Sequence, residues 1–496
     1  MAIGVWISLF LYFGLMIAIG LYAMRTSTSS SEDYMLGGRA LSPKVAALSA
    51  GASDMSGWLL LGLPGALFVS GLASAWIGIG LFVGAFINWV IVAPRLREQT
   101  VHYGNAITIP AFLANRFPTQ ALSLRTVSAI VIVIFFAVYT ASGLVAGGKL
   151  FESAFAGIFN FGGMSDYGIG IVITLGVVLA YTVVGGFLAV SMTDFVQGCI
   201  MMLALVIMPA VVLFGEGGGG LAQASATLNE VDPTLLSWTE GLTFIGWLSA
   251  VTWGLGYFGQ PHIIVRFMAI RTLKDVPIAR NIGMTWMGIS LIGAISLGVF
   301  GRAYAVRNGL DVADPETIFI VLSDLLFHPL ITGFLYAALL AAVMSTISSQ
   351  LLVSSSSLTE DFYRLFLRKE ASDRECVNVG RACVVAVGLV AAVIASDPDS
   401  QVLALVSNAW AGFGAAFGPL IILSLMWPRT NGAGAIAGLV VGAVTVMVWI
   451  SLGWNGEFMG GPGVYEIIPG FIAAWIAIMV VSMATKDGGE YQHITR

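Results

Sequence analysis

Charge is the first scarcity in this chain. Only 10% of its 496 residues are Asp, Glu, Lys or Arg, against 58% hydrophobic, whereas a soluble domain carries about 25% charged residues. So little charge cannot cover a water-exposed surface, and long apolar runs recur from end to end. A soluble globular protein is excluded, and a chain of membrane-crossing α-helices is expected. Cysteine is scarce as well. Cys199, Cys376 and Cys383 are too few and too scattered for a disulfide framework and lack zinc spacing, so packing roles are expected. Basic residues are missing ahead of the first apolar run. The first is Arg25, after it, so the run reads as a retained span rather than a signal peptide. No P-loop, HExxH, GxSxG or dinucleotide fingerprint stands in a usable context, which leaves no sign of ATP use or of an enzyme. No connection is long enough to fold as a soluble domain.

What is present is a series of thirteen candidate spans. They cover 2–24, 44–69, 72–94, 121–148, 167–186, 188–214, 241–262, 282–303, 328–358, 377–396, 402–427, 431–453 and 467–485. The net charge of −5 says less than the placement of the basic residues. With the N-terminus outside, Lys149, Arg302 and Arg307 are the only outer ones among the 22 Lys and Arg. Every other basic residue, from Arg25 to Lys486 and Arg496, falls in an inner segment. A missed span would invert everything after it, so the asymmetry supports thirteen spans with the C-terminus inside. The 215–240 connection carries only acidic charge and is expected to be a flexible outer loop because of Gly217–Gly220. The 359–381 connection is expected to be a solvated, helix-permissive inner one.

Two spans are interrupted. The first, 44–69, contains Ala52-Ser53-Asp54-Met55-Ser56-Gly57-Trp58. The second, 241–262, contains Trp253-Gly254-Leu255-Gly256-Tyr257-Phe258-Gly259-Gln260-Pro261. Glycine and proline at this density cannot form a regular helix. Each interrupted span opens a set of five (44–214 and 241–427), so the second set enters the membrane from the opposite side. That is an inverted repeat, and paired interrupted helices at matching positions mark a transporter binding site. The whole chain then reads as one membrane domain, with 2–24 peripheral to the first repeat and 431–485 forming two more peripheral helices.

Asp54 is the only ionisable residue between Lys44 and Arg95. Within a span it is either a carboxylate at an interface or a cation partner at a cavity. Free carbonyls of Ala52 and Met55 would be hard oxygen ligands for an alkali cation, with Ser53 and Ser56 adjacent. Ser345 and Ser349 share a helix face four residues apart, with Ser348 beside them. They either supply further oxygens or bond their own helix carbonyls. Trp58, Trp253 and Tyr257 flank the breaks and Tyr139 joins their set. An aromatic-lined pocket next to helix termini suits a small zwitterion, although aromatics in membrane helices also serve as core. Gly37-Gly38-Arg39 and Ser191-Met192-Thr193-Asp194 read as polar clusters on the loop side with structural roles.

Several of these stretches together resemble the sodium/solute symporter family. They are Glu32–Arg39, Ala50–Leu60, Tyr139–Gly143, Ala180–Asp194, Trp253–His262, Ala341–Asp361, Trp410–Pro419 and Tyr465–Gly470. The resemblance implies the five-plus-five inverted repeat of the LeuT-type transporters, with one extra helix before it and two after. It implies Na⁺-coupled import of a small solute across a bacterial inner membrane, without an organic cofactor. The match around Ser53–Trp58 and Trp253–Pro261 implies L-proline as that solute. The Na⁺ site would use the carbonyls of Ala52, Met55 and Ala342 and the hydroxyls of Ser345 and Thr346, with Asp54 needed for coupling. The solute pocket would use Ser56, Gly57, Trp58, Tyr139, Trp253 and Tyr257. Lipid, Na⁺ and solute are the implied partners, with no nucleic acid and no obligate protein. Another small solute, a transporter-like sensor, a channel or proton coupling are the competing readings.

Overall fold

The computed structural model describes residues 2–26 and 29–485. Lys486, Arg496 and the expected inner C-terminal tail lie outside the described residues. The chain is almost entirely helical, with one short hairpin, Glu457–Phe458 against Gly461–Pro462. Ten helices among the described residues are long and apolar enough to cross a membrane.

That is fewer than the thirteen spans expected, and several of the expected runs are kinked or cut. The helix Asp166–Phe214 is 49 residues long and is kinked at Gly186, whose φ of 62° and ψ of −151° are not helical. A Cβ there would meet the Tyr34 ring at 2.5 Å, so glycine is required both by conformation and by space. The run 43–70 is cut into Pro43–Asp54, a π-turn Trp58–Gly62 and Leu63–Ser70. The run 244–269 is cut into Phe244–Val251, a 3₁₀ segment Thr252–Gly259 and Pro261–Ala269. This second break lies in the middle of its run, and the helix resumes at Pro261 instead of ending there.

Burial separates central helices from peripheral ones. In the apolar windows of Pro329–Leu367 and Val402–Met426, 83% and 89% of positions are buried. In Ile3–Thr26, Asp373–Ile394 and Ile467–Ala484 the share is 33%. Ile3–Thr26 buries Val5, Leu9, Tyr12, Met16, Gly20 and Ala23, a single stripe at helical spacing. Its opposite side exposes Phe10, Leu11, Leu15 and Leu21, a surface suited to hydrocarbon rather than water.

The connections gather at two ends. At one, rich in basic residues, Leu41 bridges Ile270 and Thr108 bonds Asp361. There Arg39, left-handed at φ 52°, donates to the carbonyls of Met268 and Ala106. At the other, acidic end, Trp76 donates to Trp238 O and Lys149 pairs with Asp314 and Glu316 at 2.7 and 2.9 Å.

One connection departs from expectation and another matches it. The 215–240 stretch is an ordered cap holding the helix Gly220–Val231, because the left-handed Gly217 and Gly219 turn the chain into it. The 359–381 stretch is mostly helix: Pro329–Ser356 continues as a π-helix to Leu367, and the next helix starts at Asp373.

Candidate functional site

The helix Pro43–Asp54 starts cleanly. Ser42 accepts the Val45 N–H and Pro43 occupies the first turn. At the other end Met55 leaves helical geometry (φ −81°, ψ 81°). The Ser56 N–H bonds Asp54 O at 3.0 Å, not the Ala52 carbonyl four residues back that an α-helix would use. The freed Ala52 carbonyl accepts from Ser345 Oγ at 2.6 Å and from Thr346 Oγ1 at 3.4 Å. The same hydroxyls reach Ala342 O at 3.1 and 3.3 Å. Two carbonyl and two hydroxyl oxygens therefore crowd together, with only two hydroxyl protons among them. All four residues are buried.

Such a cluster is short of donors, and a hard cation placed among the oxygens would supply the missing positive charge. The four oxygens of the cluster itself are neutral carbonyls and hydroxyls. Met55 stands apart from the cluster. Its backbone makes the break, but among the described residues neither hydroxyl bonds its carbonyl. Ser348 and Ser349 donate to Ser345 O, their own helix.

Asp54 collects the aromatic side chains. Its carbonyl accepts from Trp58 Nε1 at 3.1 Å and from the Tyr139 hydroxyl at 3.3 Å. Its carboxylate Oδ2 accepts from the Tyr257 hydroxyl, which ties the two breaks together. The other oxygen, Oδ1, is buried without a partner. Asp54 also lines a cavity of about 20 Å³ with Asn88, Trp89 and Tyr257, room for about one water. The carboxylate is thus buried and bonds neither hydroxyl of the cluster. Ser56 Oγ accepts the Trp58 N–H at 3.4 Å. Gly57 fills a packing role, since a Cβ would meet Ala146 Cβ at 2.7 Å.

The second break is held by side chains, two of them reaching in from elsewhere. Asn88 donates to Tyr257 O, Gln260 to Gly256 O and the Trp410 indole to Trp253 O, at 3.1, 3.1 and 2.7 Å. Irregular backbone inside a membrane needs such partners. Trp410 lies so close to Gly256 that a Cβ there would fall 1.9 Å from Nε1. Trp253 does not join the Asp54 group. Its ring stacks on Tyr465, centroids 5.2 Å apart at 30°. All four expected aromatics are buried. Beyond Trp253 and Tyr465, toward the acidic end, lies a cavity of about 580 Å³.

A second polar knot departs from the sequence pattern, which puts Asp194 in a loop-side cluster and Arg266 in an inner segment. Both are fully buried, because 191–194 already lies two turns into the helix after Gly186. Arg266 Nη2 meets Asp194 Oδ2 at 3.2 Å and Ser349 Oγ at 2.6 Å, while Ser49 donates to Asp194 and accepts from Arg266 Nε. One knot thereby joins both broken runs to Pro329–Ser356 and to the helix after Gly186. His262 is a further buried residue the sequence did not single out, with neither ring nitrogen partnered and its ring edge-on to Tyr139.

The description of one known family fits residues 34–442, most of the chain. The chain belongs to the sodium:solute symporter family. It is therefore a transporter and not an enzyme. It is 54% identical over 471 residues to the high-affinity proline transporter PutP of Bacillus subtilis, covering 95% of this chain and 96% of that one. It is 52% identical over 486 residues to the osmoregulated proline transporter OpuE of the same organism, covering 98% and 96%. It is 49% identical over 493 residues to a sodium/proline symporter of Staphylococcus aureus, covering 98% and 94%. Among solved structures it superposes on a substrate-bound, outward-open Na⁺-coupled sialic acid symporter with a TM-score of 0.79 at 19% identity, over 98% of this chain and 99% of that one. A nucleobase-cation-symport-1 transporter in a closed conformation gives 0.57 at 15% identity, over 95% and 97%. At these identities the two structures establish a shared fold of membrane transporters.

Proposed function

We propose that this protein imports L-proline across the inner membrane of a bacterium by cotransport with Na⁺. The observation that carries the reading is the convergence of Ser345 and Thr346 on the carbonyls of Ala52 and Ala342, at a break in a membrane helix. Relatives about half identical over nearly the whole chain, named for proline transport, support the solute.

Na⁺ binds among the oxygens of Ala52, Ala342, Ser345 and Thr346, and the Met55 carbonyl swings in to complete the set. Occupation clamps the first broken run onto Pro329–Ser356. Ser56, Gly57 and Trp58 directly follow that clamp, so the ion shapes the solute pocket they form with Tyr139, Trp253 and Tyr257. Proline lies with its carboxylate toward the helix N-terminus after the break and its ring against the aromatics. Asp54 draws the cation inward and, through Tyr257, couples the two breaks. The two broken runs open two inverted five-span repeats, 44–214 and 241–427, in a thirteen-span LeuT-type domain. The first span and the last two, 431–485, lie at its periphery against lipid. The acidic end faces outward with the N-terminus and the basic end faces the cytoplasm with the C-terminus. Rocking of one set of helices against the other opens the site alternately to each side.

Labelled proline uptake into proteoliposomes tests this. An imposed inward Na⁺ gradient should drive accumulation above equilibrium, and unlabelled proline should outcompete other amino acids, sugars and carboxylates. Equal uptake from K⁺ buffer, or accumulation driven by a pH gradient without Na⁺, would contradict the ion assignment. Stronger competition by another solute would reassign the substrate.

A further inference from the structure

At the basic end a cavity of about 670 Å³ opens where the helices Ala75–His102, Val276–Arg307 and Val402–Met426 meet. Trp89, Val90, Pro277, Leu425 and Met426 form much of its apolar wall, and its charged groups are Arg95, Arg280 and Glu98. Val90, Pro277 and Met426 are exposed, so the cavity opens on the flank of the helices rather than in their core.

Neither arginine has an ion-pair partner among the described residues. Arg95 Nη1 donates to Ile91 O of its own helix at 3.0 Å, and Arg280 Nε to the adjacent Asn281 Oδ1 at 3.2 Å. Most N–H groups of both guanidinium forks are left over. Arg280 also lies 5.9 Å over the ring of Phe86, which is exposed on the flank. Glu98 is exposed and pairs with neither arginine. Gln99 adds a complementary group. It is 9% exposed, its Nε2 donates to Leu425 O at 3.2 Å, and its Oε1 is buried without a partner. A buried acceptor left in this condition is costly.

Two cationic forks and one orphaned acceptor suit an anion that also carries a hydroxyl. Guanidinium groups match phosphate oxygens, and a hydroxylated head group would donate to Gln99. Inorganic phosphate would leave the apolar wall uncovered. An apolar stripe continues from the cavity along the same helix: Val83, Phe86, Ile87 and Val90 stand at helical spacing and are all exposed. From Val83 to Arg95 the helix rises about 18 Å, close to half of the ~30 Å hydrocarbon core.

We propose that this cavity binds one anionic phospholipid with a hydroxylated head group, of the phosphatidylglycerol class. Its phosphate lies between Arg95 and Arg280, its head-group hydroxyl donates to Gln99 Oε1, and an acyl chain follows the Val83–Val90 stripe. Basic pockets between membrane helices on the cytoplasmic side suit such head groups; only the assignment to that leaflet rests on the orientation proposed above. Trp89 lines both this cavity and the one beside Asp54, so a bound head group backs the wall of the Asp54 cavity.

The test is titration of the delipidated full-length protein, in neutral detergent, with dioleoylphosphatidylglycerol or dioleoylphosphatidylcholine, the lipid-bound fraction being read by native mass spectrometry. The wild type should bind the glycerol lipid about ten- to thirtyfold more tightly. Arg95→Gln combined with Arg280→Gln should erase that preference. Met426→Glu, at an exposed rim position, should erase it too while leaving both arginines in place, so a folding defect in the double variant does not blunt the test. Lys369→Gln, an exposed basic residue outside the cavity, should keep the full preference. Excess sn-glycerol 3-phosphate or inorganic phosphate should not displace the lipid. A wild type without the preference, an intact preference in the double variant or in Met426→Glu, an equal loss in Lys369→Gln, or displacement by either soluble anion would overturn the lipid site.

Discussion

Ser345 and Ser349 look equivalent in the sequence, four residues apart on one helix face, and the structure gives them different work. Ser345 reaches across to Ala52 as well as to its own helix, whereas Ser349 bonds Ser345 O and accepts from Arg266. Only the position of the facing helix break decides between them, and that is a contact across 293 residues. The consequence is measurable. Ser345→Ala removes one oxygen facing the cation, an interaction with a charge worth about 1.5–3 kcal/mol, so half-maximal uptake should need about ten times more Na⁺ or beyond. Ser349→Ala should leave the Na⁺ requirement near wild type and act through the Arg266 knot instead. Asp54 was legible as an anomaly but not as a hub. Trp58 and Tyr139 donate to its carbonyl and Tyr257 to its carboxylate, and spacing alone cannot bring the two distant tyrosines to one residue. Tyr257→Phe, which removes the hydroxyl from Asp54 without emptying the pocket, should reduce coupled uptake while preserving expression; unchanged Na⁺-driven rates would remove Asp54–Tyr257 from the mechanism.

At the scale of elements, the breaks themselves were visible because glycine and proline density is a local signal. What holds them open was not. The second break depends on Asn88, Gln260 and Trp410 donating to its carbonyls, and Trp410 enters from 157 residues away. Gly256→Ala should therefore be severe. The new methyl cannot share space with the Trp410 indole, so the bond to Trp253 O is lost and the stack with Tyr465 shifts. Uptake should fall by at least tenfold, with cost on the scale of about 1–3 kcal/mol for overpacking, and Trp410→Phe in the same chain should partly rescue it. A Gly256→Ala protein with wild-type kinetics would show that the indole position does not matter. The 215–240 stretch teaches the opposite lesson. Its glycines were read as flexibility, but left-handed φ at Gly217 and Gly219 makes them turn residues that launch a helix.

For the whole molecule, alternation of basic and acidic connections was readable from composition, and the structure gathers those connections at two ends. Ten helices among the described residues are long and apolar enough to cross a membrane, fewer than the thirteen expected, because one long helix is kinked and two runs are cut. The Asp194–Arg266 pair links four elements and is sealed from water, so it belongs to this scale. Removing one partner of such a pair leaves a buried charge and costs about 3–5 kcal/mol; Arg266→Leu should lower thermal stability in detergent sharply, and Asp194→Leu in the same chain should recover part of it.

The central claim is that an ion held between the first break and Pro329–Ser356 creates the solute pocket. Equilibrium binding of labelled proline to the purified protein across a Na⁺ series tests it without transport. Linkage requires that proline affinity climb with Na⁺ in wild type and that proline raise Na⁺ affinity by the same factor. Ser345→Ala should shift the climb to higher Na⁺ while reaching the same limiting affinity. Proline affinity independent of Na⁺ in wild type, or a Ser345→Ala curve superimposed on it, would contradict the account.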